Sequence, residues 1–180
     1  PESDQGSGNK TEDNHVSTPV RHKGHPSART PKTISRFTRR KISLTRELFD
    51  KYNESVFHES LPTDLPVSWN SRLLTTAGIT KMKKSSSHDR TAAIELSTKV
   101  VDDEERLRIT LLHEMCHAAA WLIDGELKPP HGPAFWRWAN RAHARLPLGA
   151  PEAAISTCHS YSIHKPHEFA CSNTTCGITY

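Results

Sequence analysis

The apolar residues Leu44, Leu48, Phe49, Tyr52, Val56 and Phe57 recur at steps of three, four and seven, which lays a single apolar stripe along a helix. Pro62 and Pro66 are expected to end it. Val67–Asn70 and residues 73–81 then read as strands, the second with Gly78 as a candidate bulge. After a polar loop over 83–90, the partial alternation of Ala93, Ile94 and Leu96 predicts a third strand over 91–97. Three short strands imply a small sheet, antiparallel or mixed.

A second helix is announced by Asp102 with Glu105 three residues on, the spacing of a capping box, and by Asp103 and Glu104 at the positive end of the helix dipole. It is expected to run through Leu107, Leu111, Leu112, Met115, Ala118, Ala119 and Leu122 and to stop near Gly125. A third helix opens at Pro133 and carries Phe135, Trp136, Trp138, Ala139 and Ala142 as far as Pro147. Helical spacing places Phe135, Trp138, Ala139 and Ala142 inside, and both Trp136 and Trp138 are expected in the core rather than as stacking platforms. The element order predicts an α+β fold with the sheet packed on helices.

The second helix contains His113-Glu114-Met115-Cys116-His117. Residues four apart leave a helix on one face about one turn apart, so both imidazoles are able to reach one ion. This is the His-Glu-x-x-His pattern, in which two neutral histidines hold Zn²⁺ and the glutamate serves as general base towards a water whose pKa the metal lowers from about 16 towards 7. Five letters also arise by chance in amphipathic helices. Here the motif lies in the middle of a capped helix among Leu111, Leu112 and the alanines 118–120, which would shield it from bulk water. Cys116 faces away from the two histidines by helical geometry and reads as packing.

A catalytic zinc takes three protein ligands and keeps one position open. The metzincin continuation would need Gly at 120 and His at 123, where this chain has Ala120 and Ile123. A glutamate ligand from the following helix is equally absent, since residues 135–145 contain no acidic side chain, and Glu126 lies too close to the turn. His131, inside the stiff stretch Pro129-Pro130-His131-Gly132-Pro133, is the preferred third ligand over a solvated loop histidine, with His143 as the fallback.

Composition places these elements in a longer chain. Of 180 residues only 34% are apolar, and the first 32 or so are dominated by Ser, Thr, Pro, Gly, His and charge. Residues 1–35 are therefore expected to form a disordered tail, 36–150 the metal-binding domain and 151–180 a separate small segment. No run approaches the roughly 18 apolar residues needed to cross a bilayer, and no secretory signal opens the chain, so a soluble intracellular protein without membrane contact is expected. The net charge of +4 is compatible with a polyanionic partner and decides nothing by itself. The basic run Arg36-Phe37-Thr38-Arg39-Arg40-Lys41 fits phosphate contact, nuclear import or plain solvation. Other candidates for phosphate contact are Lys81, Lys83, Lys84 and Arg90 near the sheet, and Arg137, Arg141 and Arg145 on one face of the third helix; no residue is assigned to DNA.

Four cysteines, Cys116, Cys158, Cys171 and Cys176, are too few and too clustered to staple a domain of this length, which points to a reducing compartment. Cys171 and Cys176 have the spacing of one knuckle of a structural zinc site, which is half of what such a site needs.

Taken together, Leu48-Phe49-Asp50-Lys51-Tyr52-Asn53, Thr76-Ala77-Gly78, Leu111-Leu112-His113-Glu114-Met115-Cys116-His117-Ala118, Trp121-Leu122-Ile123-Asp124-Gly125, His131-Gly132-Pro133-Ala134-Phe135 and Cys158-His159-Ser160-Tyr161 resemble the SprT-like metallopeptidases. Within them the similarity is to the branch of Spartan and the germ cell nuclear acidic protein, nearer the latter through Met-Cys-His and Trp-Leu-Ile-Asp. The resemblance covers about residues 41–180. It implies a zincin-like minimal fold and a nuclear, zinc-dependent protease that cleaves proteins trapped on DNA and is switched on by single-stranded or junction-containing DNA; a monomer is expected. It also implies His113, His117 and His131 as zinc ligands and Glu114 as the base, in agreement with the spacing. Family members often end in a zinc ribbon with a second cysteine pair, which this sequence does not reach, so Cys171 and Cys176 are expected as an incomplete ribbon unless Cys158, His159, His164 or His167 completes a local site. The rival from another class is a non-catalytic DNA-binding or scaffold module braced by zinc.

Overall fold

In a computed structural model, residues 31–86, 89–153 and 155 are described. The elements are α1 (Pro31–Ser55), β1 (Val67–Asn70), β2 (Gly78–Lys84), β3 (Arg90–Ser97), α2 (Glu104–Leu122), α3 (Pro133–Arg145) and a short 3₁₀ turn, Pro151–Ala153. The three strands form one mixed sheet in the order β1-β3-β2, so the expected α+β arrangement holds. β1 runs parallel to β3, pairing Val67 with Ile94, and β2 runs antiparallel to it, pairing Gly78 with Leu96. β2 is thus an edge strand.

Helix α1 is longer than its apolar stripe. It begins at Pro31, so the border drawn at residue 35 falls inside it and the basic run 36–41 is helical. The stripe itself is buried as expected: Leu44, Leu48, Phe49 and Tyr52 face the core, whereas Ile42 is 73% exposed. The helix also ends earlier than the prolines imply. His58 and Glu59 have positive φ, and the buried Asn53 side chain clamps the returning chain, its amide donating to the Leu61 carbonyl at 3.0 Å and its oxygen accepting from the Leu61 N–H at 3.2 Å. Asn53 thus satisfies both main-chain groups of the buried Leu61, while the last helical carbonyls, those of Tyr52 and Asn53, accept from the N–H groups of Val56, Phe57 and Glu59.

Strand β2 occupies 78–84 rather than 73–81, and its alternation places Gly78, Thr80 and Met82 towards α2. Gly78 is no bulge. A Cβ there would stand 2.8 Å from Thr110 Cγ2 and 2.9 Å from Glu114 Cγ, so the glycine lets strand and helix approach closely.

The cap of α2 is Asp103, not Asp102: its Oδ1 accepts from the Arg106 N–H at 2.8 Å. Asp102 instead pairs with the buried Arg106 guanidinium at 3.2 Å. At the other end Gly125 takes φ +74, the left-handed conformation expected past a helix. Between these ends α2 is buried on nearly every side by the sheet, α1 and α3, with Leu107, Leu111, Leu112, Met115 and Cys116 fully buried. In α3 the buried face is Ala134, Phe135, Ala139 and Ala142. Trp138 packs partly against the core, but Trp136 is 37% exposed, contrary to its expected place, because one residue of helix turns it about 100° from Phe135. Among the described residues no helix is long and apolar enough to cross a membrane.

Candidate metal centre

The imidazoles of His113 and His117 leave α2 on one face, and the turn before α3 brings His131 against them. His113 Nε2 lies 3.1 Å from His117 Nε2 and 3.3 Å from His131 Nε2, and the ligand atoms of the three all fall within 4.8 Å of one another. Two nitrogens bound at tetrahedral angles to a zinc-sized ion stand about 3.4 Å apart. Neutral imidazoles have little reason to aim three ring nitrogens at one point unless a cation joins them, so the donor set fits a metal ion. Burial lowers the His131 pKa, which favours the neutral form a metal requires. His143, the alternative ligand, lies elsewhere, with Nδ1 3.2 Å from the Ala153 carbonyl oxygen.

The loop that presents His131 is held at both ends. The Gly132 N–H donates to the Pro129 carbonyl at 2.9 Å, and the Glu126 carboxylate accepts from the Ala134 N–H at 3.3 Å. Glu126, dismissed as a ligand, serves as an acceptor at the first turn of α3, where orphan N–H groups and the helix dipole favour it. Phe135 then forms a common floor: its ring centroid is 5.0, 4.6 and 4.7 Å from those of His113, His117 and His131. One fully buried ring thus touches all three imidazoles, a role that periodicity assigned only to packing.

Glu114 is 4% exposed and lies beside the cluster in a cleft between α2 and the edge strand β2. The Thr80 hydroxyl lies 2.7 Å from Glu114 Oε2 and 2.9 Å from the Glu114 carbonyl oxygen. Burial pushes the Glu114 carboxyl up to about 7, and the hydrogen bond from Thr80 acts in the opposite direction. Thr80 was missed in the sequence because only the true register of β2 turns it towards the helix; the glycine two residues earlier was the available signal. The same cleft is lined by Thr75, Met82, Leu127 and Pro130. Cys116 is fully buried, and burial raises its thiol pKa far out of the reactive range, in line with a packing role.

Five of the basic residues named for phosphate contact have partners within the fold. Lys81 pairs with Glu95, Arg137 with Asp124 at 2.9 Å, and Arg141 with His58. Arg90 donates to the Trp121 carbonyl at 3.2 Å at the end of α2. Lys41 lies over the Trp69 ring at 4.4 Å. The expected tail up to residue 30 and the cysteines and histidines of the expected ribbon, Cys158, His159, His164, His167, Cys171 and Cys176, lie outside the described residues.

Comparison with known proteins places the site in a lineage. Residues 45–159 match the SprT-like family. Over 135 residues the chain is 41% identical to the germ cell nuclear acidic protein of Drosophila melanogaster, a match covering 75% of this chain and 12% of that protein. Over 140 residues it is 36% identical to the human germ cell nuclear acidic protein, covering 74% of this chain and 19% of that one. An HMG box-containing protein of Schizosaccharomyces pombe is 31% identical over 154 residues, covering 80% of this chain and 41% of that one. The chain thus spans less than half the length of each of these relatives. The family match runs from the buried stripe of α1 through the histidine cluster, and the chain belongs to the SprT-like family, consistent with its germ cell nuclear acidic protein branch.

Proposed function

We propose that this chain is a zinc-dependent endopeptidase domain that cleaves proteins bound or crosslinked to DNA, working in the nucleus and activated by single-stranded or junction-containing DNA. The observation that carries the catalytic part is the convergence of three imidazole nitrogens beside one buried carboxylate in an open cleft. In this reading His113, His117 and His131 hold Zn²⁺ and Glu114 is the general base. When bound, the metal supplies a Lewis acid for the scissile carbonyl and lowers the pKa of water towards about 7.

The remaining work falls to the chain itself. The Glu114 carboxylate takes the proton from the attacking water and returns it to the departing amine nitrogen. A nearby divalent charge favours its ionised form and so opposes the effect of burial. Phe135 and the alanines of α2 keep bulk water from the back of the imidazoles. The open edge of β2 offers backbone N–H and C=O groups to an extended peptide, which suits a protease that accepts many sequences.

The DNA-related part rests on family membership and on the names of the relatives, one of which is called an HMG box-containing protein. It is tested by incubating the full chain with zinc, a DNA-binding protein and single- or double-stranded DNA, beside Glu114→Gln. Fragments that appear with the wild type and DNA, and fail to appear with Glu114→Gln, are the expected result. Equal cleavage by both would remove Glu114 from the reaction. Cleavage indifferent to DNA would leave a peptidase without the proposed activation.

A further inference from the structure

We propose that Thr80, on the edge strand β2, is a positioning residue for Glu114: its hydroxyl fixes the carboxylate in the cleft beside the three imidazoles. The proposal rests on the metallopeptidase reading above and names a residue that neither the motif nor its spacing identifies.

Glu114 follows His113 directly, so it leaves α2 about 100° around the helix from that ligand. Its three side-chain torsions allow many rotamers, of which few bring the carboxylate next to the metal site. Confining such a chain costs rotamer entropy that must be offset before the base acts. Strand β2 supplies the offset from two positions on one face. Gly78 leaves room for the Glu114 stem, since even a methyl there would meet Cγ at 2.9 Å and Oε1 at 3.1 Å. Thr80, two residues on, places its hydroxyl 2.7 Å from Oε2 and 2.9 Å from the Glu114 carbonyl oxygen.

Among the described residues Thr80 is the hydrogen-bond donor to this carboxylate. The same hydroxyl also lies within hydrogen-bond reach of the Glu114 carbonyl oxygen, its one proton serving one of the two acceptors at a time. Because Thr80 pairs with Ile94 in the sheet, the hydroxyl is carried by a ladder with a fixed register rather than by a loop.

The test compares Thr80→Val, which keeps the branched shape and strand propensity but removes the hydroxyl, with Thr80→Ser, which keeps the hydroxyl. On the zinc-loaded full chain, Thr80→Val is expected to lower kcat on the order of ten- to a hundred-fold, as loss of an outer partner of a site residue does. KM and zinc affinity are expected to stay within about twofold, and Thr80→Ser to recover most of kcat. Thr80→Ala carries the same expectation should Thr80→Val fold poorly. Wild-type kcat in Thr80→Val, or equal losses in Thr80→Val and Thr80→Ser, would overturn the proposal.

A second readout needs no activity. Crystals of Thr80→Val are expected to show the Glu114 carboxylate swung from its place beside Gly78, and an unmoved carboxylate would overturn the role. Cleavage that is the same in wild type and Glu114→Gln would instead refute the peptidase reading, and the position of Glu114 in the crystals would still decide the contact.

Discussion

The Tyr52 hydroxyl donates a hydrogen bond of 3.0 Å to Glu152 Oε1, joining helix α1 to the 3₁₀ turn after α3 across 100 residues of sequence. Both side chains are buried, and Arg108 of α2 approaches the same oxygen at 3.4 Å. Three separate segments thus meet on one carboxylate. Removing the hydroxyl by Tyr52→Phe is expected to cost about 1–3 kcal/mol, the range for leaving a buried acceptor short of a partner. Urea unfolding of the full chain measures it, and an unchanged midpoint would show that Arg108 alone satisfies Glu152.

The same pair sets an alkaline limit. Burial and the neighbouring Glu152 raise the Tyr52 pKa above its ordinary value of 10.0. A group whose folded pKa is raised contributes stability that is fully present below the unfolded pKa and is lost as pH rises towards the folded one. Stability should therefore fall above pH 10, and fall less in Tyr52→Phe than in the wild type. Parallel unfolding curves at several pH values across that range give the difference, which isolates Tyr52 from lysines common to both chains. Identical pH slopes would contradict the assignment.

Gly78→Ala is expected to destabilise the chain by about 1–3 kcal/mol, because the added methyl must displace Thr110 and Glu114 side chains from a packed contact. The displaced carboxylate should also lower kcat. Urea midpoints and steady-state cleavage check both effects, and a neutral outcome in each would mean that β2 shifts away from α2 at little cost.

How far the sequence revealed this site follows from where each residue lies. His113, Glu114 and His117 sit within five residues of one helix, where the 3.6-residue period alone decides their mutual placement. His131 was legible because prolines and a glycine restrict the turn that carries it. Thr80 depends on the pairing of β2 with β3, a relation between residues far apart, and a strand placed over 73–81 leaves it without a partner. The early part of α1 is harder to read for a different reason: Phe37 is buried there on the face of Leu44, but it stands alone among basic and polar residues, and the nearby Ile42 is exposed.

Phe135 is the next point of attack on the metal centre. Its ring packs on all three imidazoles, so Phe135→Ala should open a cavity beneath them, cost about 3–5 kcal/mol and weaken zinc binding on the order of ten- to a hundred-fold. Phe135→Leu, which refills most of the space, should recover much of both. Competition with a chelator measures affinity and thermal melting measures stability. Zinc affinity unchanged in Phe135→Ala would show that the imidazoles hold their positions without the ring.

Metal removal bears on the fold as well. A ligand that binds the native chain and not the unfolded one stabilises it in proportion to the logarithm of its concentration over Kd, about 2.7 kcal/mol at a hundred-fold excess. Chelation should lower Tm, and restored zinc should raise it again, with a smaller response in His131→Ala.

The most direct measurement is anomalous diffraction at the zinc edge from crystals grown with zinc. The account predicts one peak about 2.0–2.1 Å from Nε2 of His113, His117 and His131, with the Glu114 carboxylate outside the ligand distance. A zinc ion bound elsewhere with these three nitrogens vacant, or one ligated directly by Glu114, would contradict it.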